Sequence, residues 1–380
     1  MSRRPKLLLV GPLPIEGDVI GGTKVSFAAL VDAFEASERF ELTVQNTSRP
    51  RAGRGALRRA FGDLVQLGAL LARLAPPRQR YDAVLWNVSA GGALRAAPFV
   101  RALCRLRGAQ LAVRVFGGDL DLALERAPWP WRPLARRALQ NADLLLLQTR
   151  ALCATFEDDA ATSSASWWPT TRDLERSTPL DRPAARRFLF LGQLRREKGV
   201  AEALEAARAL PSGATLTVHG PPMPGFALEP LLDHASCRYG GTLTPAEIPS
   251  VLEAHDALVF PSYHEGEGMP GVIVEALQLG LPVIASDWRS IGELVEDRCN
   301  GLLVQPRDAS SLAEALTSLT TDEALFASLR AGALATGDRL RGREWNPRLI
   351  EWMAALVGDD LGADAALATP AAAPKLEEAA

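Results

Sequence analysis

Short apolar runs alternate with longer amphipathic stretches along most of the chain. Residues 7–10, 40–45, 83–87, 111–116 and 144–148 have the length and apolar content of buried strands. Stretches with helical spacing of apolar positions lie between them, as at 23–34, 57–74 and 94–107. The same pattern restarts at 188–191 and continues through 215–219, 257–260, 283–286 and 301–304. Strands that alternate with helices need right-handed crossovers, which cover both faces of a parallel sheet. The pattern therefore predicts an α/β chain of two Rossmann-like, doubly wound domains. They join near 173–186, where Pro179, Pro183 and several charges break the apolar rhythm. The expected domains are 1–180 and 181–345. A helix at 346–357 should pack back on the first domain, and 358–380 is a tail. That tail, ending AAAPKLEEAA, has too little hydrophobic bulk to offset its ordering entropy and is expected to be disordered.

Composition narrows the class. At 380 residues the chain is too long for one ordinary core. Its 47% apolar and 23% charged content is that of a soluble globular protein. No apolar run is long enough for a transmembrane helix, and the run at 7–10 stops at Gly11-Pro12, as a first strand would. Cys104, Cys153, Cys237 and Cys299 lie far apart without metal-ligand spacing, which points to a reduced, cytoplasmic setting. The net charge of −3 conceals an asymmetry: residues 1–180 hold 25 basic against 17 acidic side chains, the remainder 17 against 28. A basic first half suits an anionic acceptor or a peripheral contact with an anionic membrane at its inner face; drift of surface charge explains it equally.

Ligands of open parallel sheets bind beyond the carboxyl ends of the strands, so the turns leaving the strands carry the candidate chemistry. The first holds Gly11, Gly17, Gly21 and Gly22 ahead of a helix. It is either an anion cradle or a plain flexible connection. It matches neither G-x-G-x-x-G nor G-x-x-x-x-G-K-[ST], which argues against a dinucleotide oxidoreductase. The second, GQLRREKGV at 192–200, sets Arg195, Arg196 and Lys198 at a strand end before a helix over 200–210. It is a diphosphate grip or a solvated basic turn. The third, FPSYHEGEGMPGVIVEALQLGLPVIASDW at 260–288, is the most specific. A strand ends at Phe260, a glycine-rich loop follows, Pro270 or Gly271 opens a helix, and Gly280 closes it. The loop amides and the helix N-terminus form an anion site. Glu267 lies in the loop and Glu275, eight positions on, in the helix. Carboxylates beside an anion need a reason, and hydroxyl recognition by charge-assisted hydrogen bonds supplies one.

Here the chain resembles the retaining glycosyltransferases of family 4, which have the two-domain GT-B architecture with domains facing across a cleft. The resemblance runs over roughly 5–355 and is densest from 188 to 306. It rests on FPSYHEGEGMPG, the Glu267–Glu275 pair, EALQLGLPVIASDW, IGELV and NGLLVQP. RVFGGDLD at 114–121 and WWPTTR at 167–172 resemble a subgroup that builds bacterial surface polysaccharides. The resemblance implies a nucleoside diphosphate sugar donor in the second domain and a saccharide or lipid-linked saccharide acceptor on the first. Glu275 would bind the donor ribose and Glu267 the sugar hydroxyls. The amides of Gly268, Met269 and Gly271 would line the sugar and diphosphate. Lys198, with Gln193 and Arg196 nearby, would bind the diphosphate, and Gly21 and Gly22 would close over it. The base would lie near Gly241, Thr242 and Leu243. Phe116, Gly117, Gly118 and Asp119 would form the acceptor side.

Two positions depart from that family: Gln193 stands where an arginine is usual, and Phe116 where many relatives have histidine. The resemblance further implies net retention, with the departing phosphate taking the acceptor proton and neither metal nor other cofactor required. A different GT-B enzyme (an epimerase of sugar nucleotides or an inverting transferase) and a catalytically idle sugar-nucleotide binder are the alternatives.

Overall fold

A computed structural model of the chain describes residues 3–15, 21–48, 56–74 (side chains from 65), 76, 80–157, 165–177, 182–228, 232 and 234–358. Gly17, Pro179, the expected tail from 359 onward, and Arg51, Arg54 and the side chains of Arg58 and Arg59, through which the expected amphipathic helix at 57–74 would meet an anionic membrane, lie outside the described residues. The chain forms two compact units: Met1–Pro169 together with Arg343–Ala380, and Thr170–Gly342.

Unit 1 alternates strand and helix as the apolar rhythm predicts. Its elements are β1 (Lys6–Gly11), α1 (Gly22–Ser37), β2 (Glu41–Asn46), α2 (Ala56–Leu74), β3 (Ala83–Ser89), α3 (Ala90–Arg107) and β4 (Gln110–Phe116). Then come α4 (Leu120–Glu125), α5 (Trp131–Gln140), β5 (Leu144–Leu147), α6 (Arg150–Glu157) and β6 (Ala165–Trp167). All pairings are parallel, in the order β2-β1-β3-β4-β5-β6. Leu7, Leu8 and Leu9 are consecutive and all fully buried, as expected of a strand covered on both faces. Strand order reverses between β1 and β3, which makes that crevice the switch point of unit 1.

Unit 2 comprises β7 (Arg187–Leu191), α7 (Val200–Ala206), β8 (Thr215–His219), β9 (Cys237–Tyr239), α8 (Ile248–Glu253), β10 (Ala257–Phe260) and α9 (Gly271–Gln278). β11 (Val283–Ser286), β12 (Gly301–Val304), α10 (Ala309–Thr321) and α11 (Glu323–Asp338) complete it. The sheet order is β12-β11-β10-β7-β8-β9. Counted from β7, this is the 3-2-1-4-5-6 order of dinucleotide-binding folds, with its switch point between β7 and β10. Fully buried Asp256 ties together the amino-terminal ends of β7 and β10, at the opposite end of the strands from that crevice. Its carboxylate accepts from the amides of Arg186 (2.9 Å) and Arg187 (2.8 Å) and pairs with the Arg182 guanidinium. The core beneath includes Phe188, Phe190, Leu216, Val218, Val259, Ile284, Leu316 and Phe326. Each such side chain stabilises by about 1.5–3 kcal/mol relative to exposure.

The closing helix, α12 (Gly342–Leu356), packs by aromatic edges. Trp345 meets Trp167 and Trp168 at centroid distances of 5.3 and 5.4 Å, and Trp352 meets Trp168 at 5.7 Å. Edge-on pairs add about 0.5–1.5 kcal/mol each beyond their buried area.

Two details differ from the apolar pattern. The helix expected over 200–210 ends at Ala206 and tightens into a 3-10 turn at Ala207–Ala209, because Pro211 holds Leu210 extended (ψ 136°). β6 and β9, three residues each, have no run long enough to read.

Candidate functional site

The switch point of unit 2 is built from two turns. After β7 the chain makes a single 3-10 turn at Arg196–Lys198 and reverses at Gly199. Gly199 has φ 71°, and a Cβ there would sit 2.1 Å from the Pro261 carbonyl oxygen. Only glycine admits this approach, which brings the β7 turn against the end of β10. The Tyr263 amide donates to the Glu197 carbonyl at 2.9 Å, and the contact seats Lys198 beside the β10 loop.

That arrangement joins two of the residues singled out from sequence. The Lys198 ammonium is ion-paired with Oε1 of Glu267, and the same oxygen accepts from the Ser262 hydroxyl at 2.8 Å. Glu267 is buried, so its charge needs these partners. Lys198 also lies 5.4 Å from the centroid of the Phe260 ring. Ser290 donates to the Gly268 carbonyl (3.1 Å) and Thr170 to the Met269 carbonyl (2.7 Å), so the loop's carbonyls are tied into unit 2. Among the described residues, no backbone carbonyl accepts from the amides of Gly268, Met269, Gly271 or Val272. α9 begins at Gly271 with Pro270 as its cap, so these amides surround a helix N-terminus that favours anions.

Glu275 lies in the second turn of α9, and its partner was not legible in the sequence. Arg172, 103 residues earlier, donates from Nε to Glu275 Oε1 at 2.7 Å. Its guanidinium crosses the helix start so closely that a Cβ on Gly271 would be 2.3 Å from Nη2. Burial pushes the Glu275 carboxyl above its ordinary value, and Arg172 opposes that shift without cancelling it. In both glutamates Oε1 is committed to the protein. No described residue donates to either Oε2, and a carboxylate oxygen has two acceptor sites.

The remaining donor-side residues take varied positions. Gln193 and Arg196 are exposed, and Arg195 is half-buried. Gly241 (φ 82°) follows β9, and its carbonyl meets the Gly220 amide (3.0 Å) and the His219 ring (3.2 Å). Thr242 is exposed and Leu243 half-buried; Thr244 is engaged by the Glu247 carboxylate at 2.7 Å. Among the described residues no three His, Cys, Asp or Glu side chains are grouped to hold a metal ion.

The residues expected on the acceptor side, and the two glycines expected at the donor diphosphate, lie in unit 1. Gly21 caps α1 and is exposed, with open space where its Cβ would be; Gly22 is the first helical residue. Phe116 ends β4, buried beneath the Arg114 guanidinium at 5.0 Å. The Gly117 amide donates to Gln148 Oε1 at 2.7 Å, Gly118 is buried, and Asp119 stands before α4 without a side-chain capping bond. A cavity of about 520 Å³ opens at the β1/β3 switch point, lined by Val10, Pro12, Trp86, Asn87, Phe116 and residues of α2 and α3. Asn87 is buried and donates weakly to the Val10 carbonyl (3.4 Å), while its Oδ1 has no partner among the described residues. Leaving such an oxygen unmet costs about 1–3 kcal/mol.

These features define a pair of Rossmann-like units, one with two cation–carboxylate pairs beside a helix N-terminus. Residues 185–322 match the protein family described as glycosyl transferases group 1. A glycogen synthase of Mycobacterium tuberculosis is 32% identical over 170 residues, 42% of this chain and 38% of that protein. The chain spans about half or less of the lengths of the curated relatives it matches. Among solved structures, sucrose-phosphate synthase from Thermosynechococcus elongatus superposes with a TM-score of 0.74. It is 16% identical, with 93% of this chain and 100% of that chain covered. Anabaena HepE in complex with UDP gives 0.69 at 17% identity, covering 92% and 100%. HepE has also been solved with UDP-glucose. The fold is that of GT-B glycosyltransferases.

Proposed function

We propose that the protein is a retaining glycosyltransferase of family 4. It moves a sugar from a nucleoside diphosphate sugar to a saccharide or lipid-linked saccharide acceptor in polysaccharide or glycolipid synthesis. The observation that carries this reading is the Lys198–Glu267 pair at the switch point of unit 2, beside the amides opening α9. Charge develops on the leaving diphosphate, and preorganised donors stabilise it: Lys198, Arg196 and the amides of Gly268, Met269 and Gly271. Gln193 adds neutral hydrogen bonds. Glu267 Oε2 is available to sugar hydroxyls and Glu275 Oε2 to the ribose diol, while Gly241, Thr242 and Leu243 border the base. Gly21 and Gly22, at the start of α1, are assigned phosphate contacts. Phe116, Gly117, Gly118 and Asp119 face the acceptor. The departing phosphate accepts the acceptor proton, so the reading assigns no side-chain base, metal or other cofactor.

The test is a thermal-shift panel of nucleotides and nucleotide sugars. Ligand at a hundred times its Kd stabilises by about 2.7 kcal/mol. UDP and a UDP-sugar are expected to raise the Tm of wild type but not of Glu275→Ala. A panel in which no nucleoside diphosphate shifts the Tm would sink the donor-site assignment. Idle binding without transfer is the second reading, favoured by Arg172 already holding one Glu275 oxygen. Donor turnover in wild type that is lost in Glu267→Ala excludes it.

No described helix is long and apolar enough to cross a membrane. Support for a peripheral contact comes from a groove where exposed Leu106 and Leu134 lie among Arg101, Arg105 and Arg137. Arginines beside exposed leucines suit an anionic lipid surface at the cytoplasmic face of the membrane. Vesicle co-sedimentation that survives Arg105→Glu with Arg137→Glu would remove it.

A further inference from the structure

Glu275 is a carboxylate anchored from one side. Gly271 and Glu275 stand four positions apart in α9 and so share a face of the helix. The Arg172 guanidinium lies along that face. Nε donates to Glu275 Oε1 at 2.7 Å, Nη1 donates to the Thr171 carbonyl at 2.8 Å, and Nη2 fills the space over Gly271 where a Cβ would be. The main chain of Arg172 is fixed as well. Its amide donates to the Leu340 carbonyl, and its carbonyl accepts from the Gly342 amide and from Gln278. A planar guanidinium held at its backbone and at two nitrogens fixes the orientation of the carboxylate that it meets.

Stability does not account for this arrangement. A buried ion pair is often no more stabilising than apolar side chains of similar volume. Glu275 also lies in the second turn of α9, beyond the first turn in which the helix dipole favours acids. What the pair leaves over is Oε2. No described residue donates to that oxygen, and unlike the unmet Asn87 oxygen of unit 1 it is not closed off from solvent. The Glu275 side chain keeps 13% of its surface exposed. One carboxylate oxygen is anchored and the other presented.

We infer that Arg172 is a positioning residue for the donor nucleoside: by anchoring Oε1 it aims Oε2 at the ribose hydroxyls and makes the site select ribonucleotides over 2′-deoxyribonucleotides. One carboxylate oxygen has two acceptor sites, enough for both hydroxyls of a vicinal diol. A ligand without the 2′-hydroxyl leaves one of them empty, and sites built to hydrogen-bond a hydroxyl reject analogues that lack it. Gly271 belongs to the same device, because a side chain there would push the guanidinium off the helix face. The inference rests on the proposed reading of Glu275 as the ribose ligand and adds the residue that gives this carboxylate its direction.

The test is calorimetric titration of the full chain with UDP, GDP and ADP, each beside its 2′-deoxy counterpart. The ribonucleotide that wild type binds is expected to bind about tenfold or more tightly than its deoxy form, the worth of one charge-assisted hydrogen bond. Arg172→Met should reduce that preference to about threefold or less. Gly271→Ala, which keeps the arginine but blocks its path, should do the same, and it decides alone if Arg172→Met does not fold. Gln278→Met separates positioning from mere support. It cuts ties to the Arg172 carbonyl and the Leu174 amide while leaving the guanidinium on Glu275, so it should lower the Tm and keep the full preference. A preference that survives Arg172→Met, or one lost equally in Gln278→Met, overturns the proposal. Failure of all three nucleoside diphosphates to bind wild type, or equal binding of the ribo and deoxy forms there, overturns the ribose reading of Glu275 itself.

Discussion

The two units solve the same geometric problem with opposite chemistry. Each has a parallel sheet whose strand order reverses once, and each reversal opens a crevice at the strand ends. In unit 2 the crevice holds Lys198, Glu267, Arg172 and Glu275, paired and largely buried. In unit 1 the described lining is mostly apolar, with Trp86, Phe99, Phe116 and leucines, and its polar members are Thr23, Thr47, Gln66, Asn87, Ser89 and Arg95. The fold therefore dictates where a ligand sits, and the side chains decide which kind. Buried charges are kept only where partners offset their desolvation, as Lys198 does for Glu267 and Arg172 for Glu275. An apolar wall is sufficient where a neutral body must merely be held.

Removing one side chain from each crevice tests the contrast. The largest effect is expected for Arg172→Ala. It leaves Glu275 buried without its partner, and breaking such a pair costs about 3–5 kcal/mol. Urea midpoints should show it, and Arg172→Met with Glu275→Gln should recover most of the loss. Lys198→Ala comes next. Transfer should fall about 100- to 1,000-fold, as for other lost electrostatic donors, and the unfolding midpoint should fall too, because buried Glu267 keeps only the Ser262 hydroxyl as a partner.

A pH dependence follows from Glu275, whose carboxyl burial raises above 4.5. The folded protein keeps a proton that the unfolded chain releases. Stability from this group is full below about pH 4.5 and is lost as pH rises through the raised folded value. Urea midpoints of wild type should decline across that window relative to Glu275→Gln. A parallel pair of curves would show that Arg172 cancels the burial effect. The smallest effect belongs to unit 1: Asn87→Leu should change stability by less than about 1 kcal/mol, because relief of the unmet oxygen is offset by loss of the amide's hydrogen bond to the Val10 carbonyl. A large loss there would mean that the two crevices are equally committed to internal pairing.

Much of this contrast was written in local runs. Uniformly apolar strands such as Leu7–Val10 within β1 and the punctuation around α9, Pro270 before and Gly280 after, are short-range signals. So is the spacing of Glu267 and Glu275. Lys198 next to Glu267 was not local, because it depends on a glycine turn meeting a proline carbonyl across two strands. Arg172 was invisible for the same reason. Nothing within a turn or two of it marks a partner 103 residues away. The apolar character of the unit 1 cavity was hidden too. Each wall residue reads as ordinary core until four elements place their faces around one space.

Gln278 links these observations. Its buried amide nitrogen donates to the carbonyl of Arg172 (2.7 Å) and approaches those of Gly337 (3.3 Å) and Leu340 (3.2 Å), and its oxygen accepts from the Leu174 amide (2.9 Å). The Arg172 amide donates to Leu340 and the Gly342 amide donates back to Arg172, at 3.2 and 2.9 Å. The strand that enters unit 2 and the one that leaves it are thus stitched side by side by the helix bearing Glu275. A segment whose two ends are already neighbours can be cut out, joined end to end or moved into another chain without rebuilding its interior. Unit 2 is in this sense a cassette, and its exchange between hosts requires only that the receiving chain bring two segments to one place.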